Sequence, residues 1–128
     1  MILDSSALLA VVLDEPDRAS IVERINSAGH VAIGAPTLLE DAIVLTARMG
    51  DDAVDLLDDF IRTTDVIVID FTDLHREVAT KAWARYGRSR HPAALNLGDC
   101  MSYAVARVAG EPLLAKGDDL PLTDIELA

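Results

Sequence analysis

The residues Met1-Ile2-Leu3-Asp4-Ser5-Ser6-Ala7-Leu8-Leu9-Ala10 decide the fold. Three apolar residues run straight into a carboxylate, two small hydroxyl residues follow, and an apolar helical pattern takes over. This is a strand that ends where a helix begins. In an open α/β sheet, ligands sit in the crevice outside the carboxyl ends of the strands. Asp4 stands at that edge and is a site candidate; as a plain helix cap it would need no further role. The choice depends on whether other carboxylates reach the same edge.

Outward from this stretch, short strands alternate with helices. A helix is expected over 5–13, and Glu15-Pro16-Asp17 opens another, closed by Ala28-Gly29. Residues 30–35 read as a second strand, with His30 a surface residue because no other His or Cys lies at ligand spacing. Pro36 opens a third helix with Leu38, Leu39, Ala42, Ile43, Leu45 and Ala47 on its apolar face, and Gly50 closes it. Glu40 and Asp41 fall in its early turns, where the helix dipole favours acids. In a fourth helix over 51–64, Val54, Leu57, Phe60 and Ile61 point inward, and Asp51, Asp52, Asp55, Asp58 and Asp59 form a solvated face. Val66-Ile67-Val68-Ile69 has the continuous β-branched character of a strand buried on both faces. Thr72 starts a fifth helix reaching Tyr86, and Asn96-Leu97-Gly98-Asp99 opens a sixth after a loop. Gly110-Glu111-Pro112 turns into a last strand, Leu113-Leu114-Ala115, with Asp118 and Asp119 just beyond it. The pattern predicts an α/β domain with a short, mostly parallel central sheet and helices on both sides.

Composition narrows the function. With 128 residues and no linker, repeat or low-complexity segment, the chain reads as a single domain over 1–128. Apolar content of 51% excludes general disorder. No run approaches the roughly 20 apolar residues that span a bilayer. The start lacks a basic leader region, so cytoplasmic residence is the expectation. The single Cys100 has no internal disulfide partner and reads as a small buried hydrophobe. A net charge of −11 disfavours broad phosphate binding and favours cations or a basic partner. The charge is uneven, however. No acid occurs over 78–98, whereas Lys81, Arg85, Arg88, Arg90 and His91 all fall there.

Several carboxylates are predicted at one edge. Asp4 follows the first strand, and Asp118 and Asp119 follow the last. Asp99 lies in the first turn of the helix before the last strand and Glu40 in the early turns of the helix after the second strand, and each crossover helix starts where a strand ends. Clustered carboxylates repel unless a cation or protons offset the charge. Hard cations such as Mg²⁺ take oxygen ligands, keep several waters, and bind through one or two carboxylates plus phosphate. Each acid also has a purely structural reading: Asp99 in a capping box with Asn96, Glu40 serving the dipole, Asp118 in a turn.

In this arrangement the sequence resembles the PIN-domain ribonucleases, specifically the VapC-type toxins of bacterial toxin–antitoxin pairs. The resemblance rests on Ile2-Leu3-Asp4-Ser5-Ser6-Ala7, Pro36-Thr37-Leu38-Leu39-Glu40, Asn96-Leu97-Gly98-Asp99-Cys100 and the segment over 112–125, in order along the whole chain. It implies a PIN-like three-layer α/β/α domain and a metal-dependent endoribonuclease kept silent by a cognate VapB-type antitoxin. Carried over by position, Asp4, Glu40 and Asp99 match the central acidic triad and would hold Mg²⁺ or Mn²⁺. Asp119 matches the fourth acid, with Asp118 the alternative, because Leu120 stands where the family often has an aromatic. Ser6 matches a supporting hydroxyl. The resemblance also implies an RNA substrate and a homodimer.

The basic window leads into Asp99, so Arg85, Arg88 and Arg90 are candidates for holding the RNA backbone; a solvated helix end explains them equally well. Two other readings compete. A receiver-like phosphoacceptor domain would use Asp70 as acceptor and Lys116 as its partner, but leaves Glu40 and Asp99 unexplained. A catalytically silent PIN domain would only bind its antitoxin.

Overall fold

The computed structural model describes residues 1–128. Its elements follow the order β1 (Ile2–Leu3), α1 (Ser5–Val12), α2 (Arg18–Ser27), β2 (Ala32–Gly34), α3 (Ala35–Met49), α4 (Asp52–Thr63), β3 (Ile67–Ile69), α5 (Asp73–Tyr86), α6 (Leu97–Ala109) and β4 (Leu113–Leu114), with a 3₁₀ turn over Leu120–Leu122. The four strands are parallel, in the order β3-β2-β1-β4.

Strands as short as β1 and β4 work because each contributes one residue to each side of the sheet. Ile2 pairs with Ala32 and Leu113, and all three enter a core beneath α5 and α6. Leu3 pairs with Ile33 and Leu114, and these enter a second core shared with α1 to α4. Period-two alternation in register thus builds the three layers. Full burial of each such Leu or Ile is worth about 1.5–3 kcal/mol. Close packing depends on Gly34, where an added Cβ would lie 2.9 Å from Val105 Cγ2. The glycine lets α6 lie directly on β2.

Several expectations need correction. The Val66–Ile69 run is not buried on both faces: β3 is an edge strand, and Ile67 is 55% exposed. On α4, Val54 is exposed, although Leu57 is buried and the five acids do face solvent. On α3, Leu39 and Ile43 point outward, as does Ala47. The inward stripe of this helix is Thr37, Asp41 and Leu45, spaced by four. The 3₁₀ turn after β4 carries no period long enough to announce itself; its Leu120 plugs the core beneath α5 and α6. At the opposite edge from β3, the C-terminal segment covers β4. Leu113 N donates to Glu126 O at 2.9 Å, and Ala128 N donates to Leu113 O at 3.0 Å. No helix is long and apolar enough to cross a membrane.

Candidate active site

Because all strands are parallel, β1 and β4 end on the same edge, and α1, α3 and α6 begin there. A cleft of about 240 Å³ opens among these ends, with Asp4, Ser6, Glu40, Asn96 and Asp99 in its lining.

Asp4 is 5% exposed and caps α1. Its Oδ2 accepts from Ser6 N at 3.0 Å and from Ser6 Oγ at 2.5 Å. Ser6 Oγ in turn accepts from Lys116 N at 2.9 Å, which ties the first turn of α1 to the exit of β4. Ser6 therefore fixes the orientation of the Asp4 carboxylate, the supporting place expected for it.

Asp99 forms the capping box and also lines the cleft. Its N–H donates to Asn96 Oδ1 at 3.0 Å, and its Oδ2 accepts from Asn96 N at 2.8 Å, a reciprocal capping box. This leaves Oδ1 for the cleft. Burial raises the Asp99 carboxyl above its ordinary value, the Asn96 N–H opposes this, the charges of Asp4 and Asp119 raise it further, and Arg88 pulls it down. Glu40 is also raised, by burial first and then by Asp4 and Asp99. The charge of Asp4 acts on both Glu40 and Asp99, and that of Asp99 on Glu40, so the three acids share one electrostatic neighbourhood. Gly98 is what lets Glu40 in, since a Cβ there would lie 2.7 Å from Glu40 Oε2.

Asp119 is exposed and lies outside the lining of the cleft, and it reaches the group only through its charge on Asp99. Asp118 is exposed and contributes nothing to the shifts of the other acids. Among the basic candidates, only Arg88 acts on the acids. Arg85 instead pairs with Asp124 at 3.2 Å and lies over the Tyr86 ring, and Arg90 is exposed without an ion pair. Arg88 and Asn96 also border a larger apolar groove of about 580 Å³ between α5 and α6, floored by Phe71, Trp83 and Leu97. The groove is the bigger cavity, but the titratable chemistry is in the smaller cleft.

The receiver-like alternative fails on geometry. Asp70 is exposed beyond the edge strand, and Lys116 is engaged by Glu15 and Asp17. Cys100 is buried, and its thiol is pushed up to about 11, chiefly by burial, so it is inert as expected. His30 is exposed and pairs with Glu111 at 3.0 Å.

Sequence reasoning missed Asp41. Read as a dipole acid, it is instead fully buried, and its Oδ1 accepts from Ser5 Oγ at 2.5 Å. Burial pushes its carboxyl up to about 7, against the Ser5 hydrogen bond and with further repulsion from Asp4 and Glu40. The signal was present as the i, i+4 spacing to Thr37 and Leu45 on the inward stripe.

The donor set fits a hard cation. Glu40 Oε2 is buried without a hydrogen-bond partner, beside two other carboxylates. No three side chains close into a tight ligand cage. An ion held here would need ligands beyond these side chains, and hard cations such as Mg²⁺ take waters and phosphate oxygens in that role.

Comparison with known proteins agrees with this architecture. The family model for the PIN domain matches residues 1–126. Ribonuclease VapC36 of Mycobacterium tuberculosis is 42% identical over 127 residues, covering 98% of this chain and 91% of that protein. Ribonuclease VapC of Mycolicibacterium smegmatis is 38% identical over 125 residues, covering 98% of this chain and 97% of that protein. The crystal structure of M. tuberculosis VapC20, described as a sarcin–ricin-loop-cleaving toxin, superposes with a TM-score of 0.80 at 20% identity, covering 99% of this chain and 97% of that one. Rickettsia felis VapBC2, solved bound to a DNA fragment from its promoter, gives 0.73 at 15% identity, covering 99% of this chain and 96% of that one. A parallel sheet in the order β3-β2-β1-β4, an acidic cleft at its carboxyl edge and these full-length matches have one explanation: the chain belongs to the PIN domain family, within its VapC group.

Proposed function

We propose that the protein is a divalent-metal-dependent endoribonuclease, the toxin of a toxin–antitoxin pair, acting as one domain over residues 1–128. One observation supports this above the rest. Glu40 carries a buried, unpartnered oxygen beside Asp4 and Asp99, and burial first, then repulsion from those two acids, raises it. A fold keeps such a cluster where a cation relieves it.

In this reading Asp4, Glu40 and Asp99 hold Mg²⁺ or Mn²⁺, with Asp119 completing the acidic set and Asp118 outside it. When bound, the ion supplies Lewis-acid activation of water and neutralises charge on the phosphodiester. The protein's own groups do the positioning. Ser6 fixes the Asp4 carboxylate, the Asn96 capping box fixes Asp99, and Gly98 keeps the Glu40 carboxylate seated between them. Arg88, free of ion pairs and within electrostatic reach of Asp99, draws the RNA backbone to the cleft. With a net charge of −11, the antitoxin is a VapB-type partner that places a basic residue among the acids. A cytoplasmic homodimer is the assembly the family resemblance favours.

The test is purified protein with cellular RNA and Mg²⁺, Mn²⁺ or EDTA, read by mapping new RNA ends. Cleavage should require the metal, and Asp4→Asn and Asp99→Asn should each abolish it with circular dichroism unchanged. Full activity in EDTA, or in either variant, would refute the metal assignment.

A further inference from the structure

Helix α3 presents two buried polar side chains one turn apart, and each reaches a different acid-bearing helix. Asp41 Oδ1 accepts from Ser5 Oγ at 2.5 Å, and Ser5 adjoins Asp4 at the start of α1. Thr37 Oγ1 meets Ser102 Oγ at 3.3 Å, and Ser102 lies one turn beyond Asp99 on α6. Thr37 is 1% exposed, Asp41 0% and Ser102 1%. Glu40 belongs to α3 itself. The three candidate ligands therefore come from three elements, and the only buried side-chain hydrogen bonds that α3 makes run to the other two.

We infer that Thr37 and Asp41 are positioning residues that form a polar yoke, fixing the spacing of Asp4, Glu40 and Asp99. The inference rests on the metal reading above. Apolar packing between α3 and its neighbours is non-directional and would allow sliding; a hydrogen bond fixes both distance and direction. The stripe accordingly departs from apolar character where α3 faces α1 and α6. Asp41 is the costlier half, because its Oδ2 is buried without a partner. Such an unsatisfied atom calls for a reason. Stability alone would be served better by an apolar residue, and Leu45 on the same stripe shows that one fits. The outer partners of metal ligands commonly set affinity in this way.

Metal-free protein titrated with Mn²⁺ and followed by electron paramagnetic resonance tests the yoke without RNA or catalysis. Ser5→Ala and Asp41→Ala should each weaken Mn²⁺ binding by about 10-fold or more. Combining them should weaken it no further, because they break the same bond. Asp41→Asn keeps an acceptor for Ser5 and should stay within about threefold of wild type, well inside that loss. Thr37→Val, nearly equal in volume, should also weaken binding. Thermal melting in parallel identifies any variant that fails to fold, and Ser5→Ala, at a half-buried surface position, keeps the test intact if Asp41→Ala does so. Lower melting temperatures with unchanged Mn²⁺ affinity would overturn the inference, as would an Asn variant as weak as the Ala variant. If the wild-type protein binds no Mn²⁺, the metal reading itself fails and the yoke with it, a result visible before any variant is made.

Discussion

Replacing Asp41 with Asn should raise the stability of the metal-free protein at pH 8 and change it little at pH 4. In the folded chain burial pushes the Asp41 carboxyl from 3.8 up to about 7. The folded state therefore holds a proton between about pH 4 and 7 that the unfolded state has released. Where the folded state binds more protons, stability falls as pH rises. The contribution is fully present below the unfolded value, is lost progressively up to about pH 7, and is flat beyond. At about 1.4 kcal/mol per unit, the shift from 3.8 to about 7 sets a ceiling near 4 kcal/mol. Asn still leaves its amide nitrogen without a partner, as Asp41 leaves Oδ2; an unpaired buried polar group typically costs about 1–3 kcal/mol, so the net gain expected at pH 8 is what remains of the ceiling, about 1–3 kcal/mol. The Ser5 bond survives, because Asn also offers an oxygen there. Glu40 and Asp99 are raised as well, so some slope should remain. Urea unfolding followed by circular dichroism at pH 4, 6 and 8 with EDTA measures the difference. Wild-type stability that is level across this range, or an identical slope in the Asn variant, would refute the reasoning. Millimolar Mg²⁺ should reverse the slope, because a cation competes with protons for carboxylates and stabilises the state that binds it.

Three further outcomes follow from the same geometry. Gly34→Ala would set a methyl 2.9 Å from Val105 Cγ2 in a filled core, so chemical denaturation should show a loss of about 1–3 kcal/mol. Gly98→Ala meets the side-chain ends of Glu40 and, at 3.2 Å, of Asn96, and no backbone; the fold should survive, while Mn²⁺ binding and RNA cleavage fall together. Arg88→Ala should flatten the log–log salt slope of RNA binding by about 0.7 to 0.9, measured with Ca²⁺ replacing Mg²⁺, whereas Arg85→Ala should leave it unchanged because Asp124 already holds that side chain.

The sequence made the sheet edge and the places of Asp4 and Glu40 at it legible, because strand-to-helix junctions are local features and each of these acids follows one; Asp99 follows the loop from α5 to α6 and is marked by its capping box with Asn96. It did not reveal side-chain direction within helices. Leu39 and Ile43 look as apolar as Leu45, yet they lie on the far side of α3 from the inward stripe. Asp41 looks like any first-turns acid until its spacing from Thr37 and Leu45 is weighed. The β-branched run ending at Ile69 reads the same whether a strand is central or at an edge, since that depends on strand order, which no local pattern encodes. Asp118 and Asp119 read alike in sequence and are both exposed, and they differ only in that the charge of Asp119 acts on Asp99. Of the arginines, sequence reported only a basic window; the ion pair with Asp124, 39 residues away, removed Arg85 from it.

The two borders of the sheet carry different risks of self-association. Past β4, the chain's own last residues occupy the ladder, so a foreign strand finds no vacancy there. Past β3 the ladder is open and Ile67 is exposed. Exposed Asp65 and Asp70 bracket this short strand, the arrangement by which charged gatekeepers keep an uncovered apolar border from recruiting copies of itself. The two borders are thus guarded by different means, one by the chain's own tail in the ladder and the other by charge alone, so neutralising Asp65 and Asp70 by substitution should expose β3 as the route to aggregation.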